Sequence, residues 1–279
     1  MNRREFMMAG AAVAAGGMFK SAYAEEPVAP AAGKKDARSA FPVYDLHVHR
    51  SDKQDVPLIM ERAKNGGLEA VGIMENVASF AITDNTKLAQ FLADTEPYPV
   101  WRGLQPMELG WSRNLSKDLI ARCDYVLLDP QTIRNGNRYG DTLELWEHEC
   151  YIPDEEEFME VNMEHYHKIL TCDERLDIFS WPLYLPPCIA RDYYRLWTRP
   201  RMEKVIGWAK ARGVALEITD LARTPHAEFI LMAKNAGLKF TFGSDTRNER
   251  TARLDYCKRI ARLCGLERKD FFIPARRIG

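Results

Sequence analysis

The sequence lacks an excess of either charge. Its 279 residues include 39 Lys and Arg against 40 Asp and Glu, a formal net charge of −1. This balance excludes a nucleic-acid-binding protein that depends on a large positive charge, and the hydrophobic content of 46% excludes a disordered chain. Beyond the N-terminal 24 residues the chain also lacks any run of about 20 apolar residues. We therefore expect no membrane span in the mature protein.

The number and spacing of the cysteines exclude a disulfide framework and a C-x-x-C motif. Six cysteines in a chain of this length do not make a disulfide framework, and none of them belongs to a C-x-x-C motif. Cys257 and Cys264 lie seven positions apart on a predicted helix, a spacing that suits core packing. We expect thiols that are mostly free and buried.

The first 24 residues are typical of a bacterial export signal. Arg3 and Arg4 precede a stretch rich in Ala and Gly at 7–19, and Ala22-Tyr23-Ala24 offers a cleavage site. The pattern Arg-Arg-x-Phe resembles the twin-arginine motif. It predicts a partner, the twin-arginine export machinery, and a periplasmic or secreted protein. The alternative is a short apolar N-terminal helix that belongs to the fold.

After residue 39, apolar runs typical of strands alternate with amphipathic stretches. The predicted strands are Val43–His47, Ala70–Met74, Val100–Met107, Tyr125–Leu128, Asp177–Ser180, Val214–Ile218 and Lys239–Phe242. The predicted helices are Pro57–Asn65, Thr86–Asp94, Asp154–Cys172, Met202–Arg212, Ala227–Asn235 and Thr251–Cys264. This alternation indicates parallel β/α units in a barrel or an open doubly wound sheet. Because α/β barrels of about 200–250 residues are commonly one domain, we expect a single domain at 40–279 after a linker at 25–39.

In a barrel, the chemistry lies on the loops that follow the C-terminal ends of the strands. The polar residues at these predicted ends are His47, His49, Glu75, Glu108, Asp129, Gln131, Asp245 and Arg247. The widest gap between predicted elements, 129–153, is too long for a simple connector. We expect it to form either an active-site flap or a disordered insertion.

The first predicted strand ends in two histidines. His47 and His49 are two positions apart, and side chains with that spacing on a strand point to the same face. Neutral imidazole is the commonest side-chain metal ligand, and carboxylates complete many hydrolytic zinc, manganese or iron sites. Glu108 and Asp245, at other strand ends, are placed to supply them. The alternative is a pair of surface or capping histidines.

Several motifs between Tyr44 and Asn248 resemble those of one superfamily. They are Asp45-Leu46-His47-Val48-His49, the helix end and strand at 63–73, Asp124-Tyr125-Val126, Asp177-Ile178-Phe179-Ser180-Trp181-Pro182, Ala215-Leu216-Glu217-Ile218 and the stretch 237–245. In their order and spacing the chain resembles the PHP (polymerase and histidinol phosphatase) superfamily of metal-dependent phosphoesterases. The resemblance implies an α/β fold, a distorted (β/α)7 TIM-like barrel.

Four positions depart from the superfamily pattern. Histidines that its members usually carry are replaced by Asn76, Gln131, Trp181 and Arg247. The ligands that remain are His47, His49, Glu108 and Asp245. In the superfamily these four share one metal. The resemblance therefore implies a site reduced to one divalent ion, which is zinc, manganese or iron.

Roles for single residues follow from the resemblance. Asp245 is predicted both to bind the metal and to accept a proton, and Glu75 is a second candidate base. Arg247 stands in for a histidine and supplies positive charge that a second ion would otherwise provide. Glu217 matches a glutamate near the superfamily's site, where we expect a buried hydrogen bond rather than catalysis.

Further residues at the same face are candidates for binding substrate. They are Arg50, Gln131, Arg134, Arg138 and Trp181. Guanidinium groups bind phosphate or carboxylate through two hydrogen bonds, so the arginines predict an anionic small-molecule substrate; the alternative is that they only solvate the surface. Trp181 begins an aromatic-rich stretch that either walls a pocket or packs in the core.

Two other histidines lie within a predicted helix. His165 and His167 are two positions apart, about 200° around a helix, so they cannot bind one ion together. We expect them at the surface.

The residues and the resemblance together predict an exported metal-dependent hydrolase that cleaves a small phosphoester. An amidohydrolase-like enzyme acting on C–N or C–O bonds is the nearest alternative, because those barrels also open with H-x-H and close with an acidic residue. A second alternative is a pseudoenzyme that binds metal or ligand without turnover, which the four missing histidines suggest.

Overall fold

Seven parallel strands form the principal sheet of the computed structural model, which describes residues 40–78 and 81–275. These strands are β1 (Tyr44–His49), β2 (Ala70–Asn76), β3 (Trp101–Gln105), β4 (Tyr125–Leu128), β7 (Ile178–Phe179), β8 (Ala215–Thr219) and β9 (Phe240–Gly243). They are paired in the order β1-β2-β3-β4-β7-β8-β9. All seven predicted strands are confirmed, with ends shifted by at most two residues.

Helices connect the strands of this sheet. They are α1 (Val56–Asn65), α2 (Asn85–Thr95), α3 (Lys117–Ala121), α4 (Glu155–Thr171), α5 (Tyr193–Leu196), α6 (Arg199–Arg212), α7 (Ala227–Asn235) and α8 (Asp255–Leu263). The six predicted helices are all present, although α8 begins four residues later than expected. The short helices α3 and α5 were not predicted, because about one turn of helix carries no readable apolar period.

Sequence signals at the helix ends explain where the longer helices begin and end. The Asp154 side chain accepts hydrogen bonds from the backbone N–H groups of Glu156 and Glu157, both at 3.1 Å. This is an N-cap, and the acidic first turn of α4 also complements the helix dipole. A different signal ends α6. The residue after its last turn, Gly213, has a φ of +75°, in the left-handed region that favours glycine.

The first and last strands meet and nearly close the sheet into a barrel. The backbone N–H of His49 donates to the carbonyl of Thr246 (2.9 Å), and Val48 forms a parallel bridge with the same residue. The buried carboxylate of Asp45 accepts hydrogen bonds from the backbone N–H (3.0 Å) and hydroxyl (2.5 Å) of Ser244. We call this junction the β1–β9 seam. The structure confirms the predicted TIM-like barrel and not the open sheet.

Apolar side chains fill the barrel and cover its outer faces. A cluster drawn from five strands lies inside it and consists of Leu46, Met74, Tyr125, Leu127, Ile178 and Ala215. The Tyr125 hydroxyl donates to the Leu46 carbonyl (2.6 Å). Its ring occupies space that a side chain at Gly72 or Gly103 would fill, so these two glycines make room for it. Burial of such side chains supplies the main favourable free energy of folding.

The 129–153 segment has structure of its own. It contains β5 (Thr132–Ile133) and β6 (Leu143–Glu144), which form an antiparallel pair. Its apolar residues Leu143, Leu145 and Ile152 are buried in the main core. The alternative of a disordered insertion is therefore wrong.

Two sequence predictions concern parts of the chain that the structure does not describe. The export signal at 1–24 and the linker at 25–39 both lie outside the described residues. Within 40–78 and 81–275, no helix has the length and apolar character needed to cross a membrane.

Candidate metal centre

The two histidines of β1 point their free ring nitrogens at one carboxylate. His47 and His49 are 0% and 1% exposed. The Asp245 Oδ1 atom, just after β9, lies 3.3 Å from His47 Nε2 and 3.6 Å from His49 Nε2. Neither Nε2 atom makes a hydrogen bond with any described residue. The β1–β9 seam thus brings together side chains nearly 200 positions apart.

This donor set fits a metal ion. One ligand atom from each of His47, His49 and Asp245 lies within 4.8 Å of the other two. Buried polar atoms without partners are rare in native proteins and need an explanation. Two imidazole nitrogens and one carboxylate oxygen are ligands that zinc, manganese and iron accept, and three protein ligands are usual at catalytic zinc, where a fourth position stays open.

Glu217 orients the first of these ligands. Its Oε1 atom lies 2.7 Å from His47 Nδ1, so the N–H at Nδ1 donates to the carboxylate and Nε2 is the atom turned toward the site. The other oxygen, Oε2, accepts from the Ser180 hydroxyl (2.6 Å), the Trp181 backbone N–H (3.1 Å) and the Thr219 hydroxyl (2.9 Å). The expected buried hydrogen bond of Glu217 is therefore present, and it is of the kind that fixes metal-binding histidines.

Electrostatics make the site attractive to a cation. Burial alone would lower the pKa of His47, but the carboxylates of Asp245 and Glu217 outweigh it and raise that pKa to about 9. Burial would raise the pKa of Asp245, yet the positive charges of His47 and Arg247 hold it below its usual value. Burial, Arg247 and His47 all lower the pKa of His49. A bound divalent ion would take the place of the proton that His47 otherwise holds.

Arg247 links the Asp245 carboxylate to the end of β2. Its guanidinium donates to Asp245 Oδ1 (3.0 Å) and to Asn76 Oδ1 (3.1 Å). The Arg247 side chain remains 38% exposed, so it borders both the site and the solvent. Asp245 has a φ of +46°, an unusual left-handed conformation for a residue other than glycine, of the kind that concentrates at functional sites.

A chain of amide side chains runs from Arg247 to Asp129, a buried acid to which the sequence assigns no role. Asn76 donates to Gln105 Oε1 (2.9 Å), and Gln105 donates to Asp129 Oδ2 (3.1 Å). Gln131 donates to Asp129 through its backbone N–H (2.9 Å) and its side chain (3.2 Å). Burial, with the nearby charge of Asp245, raises the pKa of Asp129 to about 7. The only sequence signal for Asp129 is its position directly after β4, at a strand end.

Glu108, the fourth predicted ligand, lies outside the group of three. Its Oε2 atom accepts hydrogen bonds from the guanidinium of Arg134, with Nε at 2.9 Å and Nη2 closer still. The group of three does not include Glu108. Its Oε1 atom makes no hydrogen bond among those described, so its role as a fourth ligand stays a prediction.

Glu75, the second candidate base, is also held in an ion pair. Its Oε1 accepts from Arg50 Nε (2.9 Å), and Arg50 reaches Asp94 as well (3.0 Å) while lying over the Phe91 ring. Burial raises the pKa of Glu75, and Arg50 opposes this. Proton transfer to Glu75 would cost this ion pair, and its role as a second candidate base stays a prediction.

The remaining candidates for substrate binding divide into two groups. Arg138 is exposed and pairs with Glu157 (2.5 Å), so, like Arg50 and Arg134, it is already bound to a carboxylate. By contrast, Gln131 Oε1 and the indole Nε1 of Trp181 are buried atoms without a hydrogen-bond partner among the described residues. Trp181 adjoins the site through its backbone bond to Glu217, and its φ is +46°.

Comparison with known proteins identifies a structural neighbour. No family model matches the chain, and no curated protein matches its sequence. Among solved structures, it is similar to a histidinol phosphate phosphatase from Lactococcus lactis subsp. lactis Il1403, crystallised with zinc, L-histidinol and phosphate. The TM-score is 0.55 over 81% of this chain and 94% of that one, at 15% sequence identity. The two chains share a fold. At this identity the likeness establishes the barrel and leaves activity to be argued from the site.

Proposed function

We propose that this protein is a metal-dependent phosphoesterase that hydrolyses a small anionic phosphoester. One observation carries the proposal: the buried, unpartnered Nε2 atoms of His47 and His49 converge on Asp245 at the strand ends of the barrel. The fold is shared with a phosphatase that was crystallised with zinc and phosphate, which supports this reaction class over cleavage of C–N bonds.

His47, His49 and Asp245 would hold the ion, and Glu217 would keep His47 in the required orientation. A divalent ion at such a site supplies Lewis acidity and lowers the pKa of water toward neutrality. We infer one ion rather than two or three. Asn76 and Gln131, which replace expected histidines, use their amide N–H groups to donate to Gln105 and Asp129.

Asp129 is our proposed proton acceptor. It is 2% exposed, and amide groups rather than a cation bind it, so protonation breaks no ion pair. Burial is the largest cause of its raised pKa, would persist beside a bound ion, and shifts that pKa in the direction that suits a general base near neutral pH. Its Oδ1 atom accepts only the Gln131 backbone N–H among the hydrogen bonds described, which leaves a lone pair for the proton.

Arg247 would contact the substrate. Its exposed guanidinium keeps N–H donors beyond those that reach Asp245 and Asn76. A phosphoryl oxygen is a suitable acceptor for them. Arg247 would thereby supply one positive charge where further ions are absent.

Metal content and substrate range test the proposal together. Protein purified without chelator should contain about one equivalent of zinc, manganese or iron, and it should hydrolyse an aryl phosphate in a panel of phosphomonoesters, phosphodiesters and amides. His47→Ala should lose both metal and turnover, whereas His167→Ala, at an exposed position on α4, should keep both. Turnover of amides alone would support an amidohydrolase. Bound metal without any turnover would support a pseudoenzyme, and absence of metal would contradict the central claim.

We also propose that residues 1–24 direct twin-arginine export. Replacing Arg3 and Arg4 together by lysine should retain the full-length protein in the cytoplasm. Cell fractionation followed by N-terminal sequencing of the processed form provides the measurement. A periplasmic double variant would contradict this route.

A further inference from the structure

Two segments that follow strands β4 and β7 pack against each other. The 129–153 segment and residues 181–192 both contribute to the main apolar core, through Ile152 from the first and Ile189 from the second. The Tyr184 hydroxyl donates to the Leu145 carbonyl across the same contact (3.5 Å). The two segments are thus held in fixed proximity without a covalent link.

Each segment carries a cysteine at this contact. Cys150 is half-buried and packs against the main core, whereas Cys188 is exposed. Their side chains lie beside each other and interact directly. The Cys188 sulfur also accepts from the backbone N–H groups of Ile152 and Ile189. The other four cysteines are buried or half-buried.

The surroundings give the two thiols different reactivity. The interaction with Cys150 lowers the pKa of Cys188 to about 6; burial opposes this, and the backbone N–H groups add to it. The same interaction, together with burial, raises the pKa of Cys150. Cys188 is therefore the more exposed and the more acidic of the two thiols, and Cys150 is its neighbour, which is the arrangement of an attacking and a resolving cysteine.

We propose that Cys150 and Cys188 form a disulfide by exchange with a low-molecular-mass disulfide such as oxidised glutathione. The Cys188 thiolate attacks one sulfur of that reagent, whose S–S bond breaks and releases one thiolate. The Cys150 sulfur then attacks the mixed disulfide at Cys188, and its proton leaves with the second reagent thiol. One protein thiolate and one protein thiol are oxidised to one disulfide, and the reagent is reduced to one thiolate and one thiol.

The cross-link would fasten the 129–153 segment to residues 181–192. It closes a loop that contains the whole of α4 and β7. A disulfide across a loop of this length restricts the unfolded chain, so the oxidised protein should melt about 5–10 °C higher than the reduced protein.

Oxidation of the full-length protein tests the proposal. After incubation with oxidised glutathione and alkylation of the remaining thiols, intact mass should show the loss of two hydrogens, and peptide mapping should join Cys150 to Cys188. C150S should accumulate a stable glutathione adduct at Cys188, and C188S should remain unmodified at Cys150. C172S, which alters a half-buried cysteine elsewhere, should behave like the wild type.

Three results would overturn the proposal. These are wild-type protein that stops at the glutathione adduct, a cross-link between other cysteines, and an oxidised form whose Tm equals that of the reduced form. None of the measurements depends on metal or on catalysis, so the outcome is independent of the proposed function.

Discussion

Replacement of Glu217 by glutamine tests whether the buried carboxylate prepares His47 for metal. Glutamine keeps the shape of the side chain and removes its charge. In the wild type, His47 Nδ1 and the backbone N–H of Trp181 both donate to the Glu217 carboxylate. The NH₂ group of the glutamine must face one of these two donors. Either arrangement sets two donors against each other in a site with no exposure to solvent.

The expected loss can be estimated from related sites. Removing the partner of a metal-binding histidine typically weakens metal binding by about 10- to 100-fold. This corresponds to about 1.4–2.8 kcal/mol at 25 °C. The pKa of His47, now about 9, should fall as well, because Glu217 is one of the two carboxylates that raise it.

Competition with a chromophoric chelator measures the zinc Kd of E217Q and of the wild type. E203Q is the matched control, since Glu203 is exposed on α6 and pairs with Arg199 alone among the hydrogen bonds described for it. Circular dichroism at the same temperature verifies that E217Q is folded. A folded E217Q whose Kd stays within about twofold of wild type, against the 10-fold minimum expected, would refute this account of the site.

Three further predictions concern other parts of the structure. A Cβ at Gly243 would overlap the carboxylate of Glu217 and lie 2.8 Å from the Cβ of His47. Gly243→Ala should therefore weaken metal binding and lower the free energy of unfolding in urea by about 1–3 kcal/mol. An unchanged unfolding midpoint would contradict this prediction. Burial lowers the pKa of His165 from 6.5 to about 4. The folded protein therefore keeps neutral an imidazole that the unfolded chain protonates, and stability should fall by up to about 3 kcal/mol as pH drops from 6.5 to 4. H165Q should lose less over that range, and equal losses would contradict the assignment. Alkylation of Cys188 should reach half of its maximal rate near pH 6 and level off above it; a midpoint near 9 would show an ordinary thiol.

The sequence predicted the barrel and the core of the site because both depend on short-range patterns. Alternating apolar runs marked all seven strands. The two-residue spacing placed His47 and His49 on one face, and the position of Asp245 after the last strand placed it at the same end of the barrel. The resemblance to a known superfamily added the position of Glu217.

Side-chain contacts between separate loops could not be predicted from the sequence. The pairing of Glu108 with Arg134, and of Glu75 with Arg50, depends on how separate loops come together. The amide groups that lead to Asp129 lie at the ends of three different strands, so no local spacing connects them. His165 was expected at the surface, yet it reaches the Pro130 carbonyl (3.1 Å), which the helical period alone does not show.

The β1–β9 seam determines when during synthesis the centre can be completed. Asp45 and Ser244 are 199 positions apart, and Asp245 follows directly. Contacts that close so long a loop form late, because the entropy of closure must be overcome first. A nascent chain still missing its last strand presents two histidines without their carboxylate, and so lacks the complete ligand set. If the proposed ion binds, the finished protein would therefore take it from the metals that surround it at that moment, and the compartment where folding ends would decide which metal is bound.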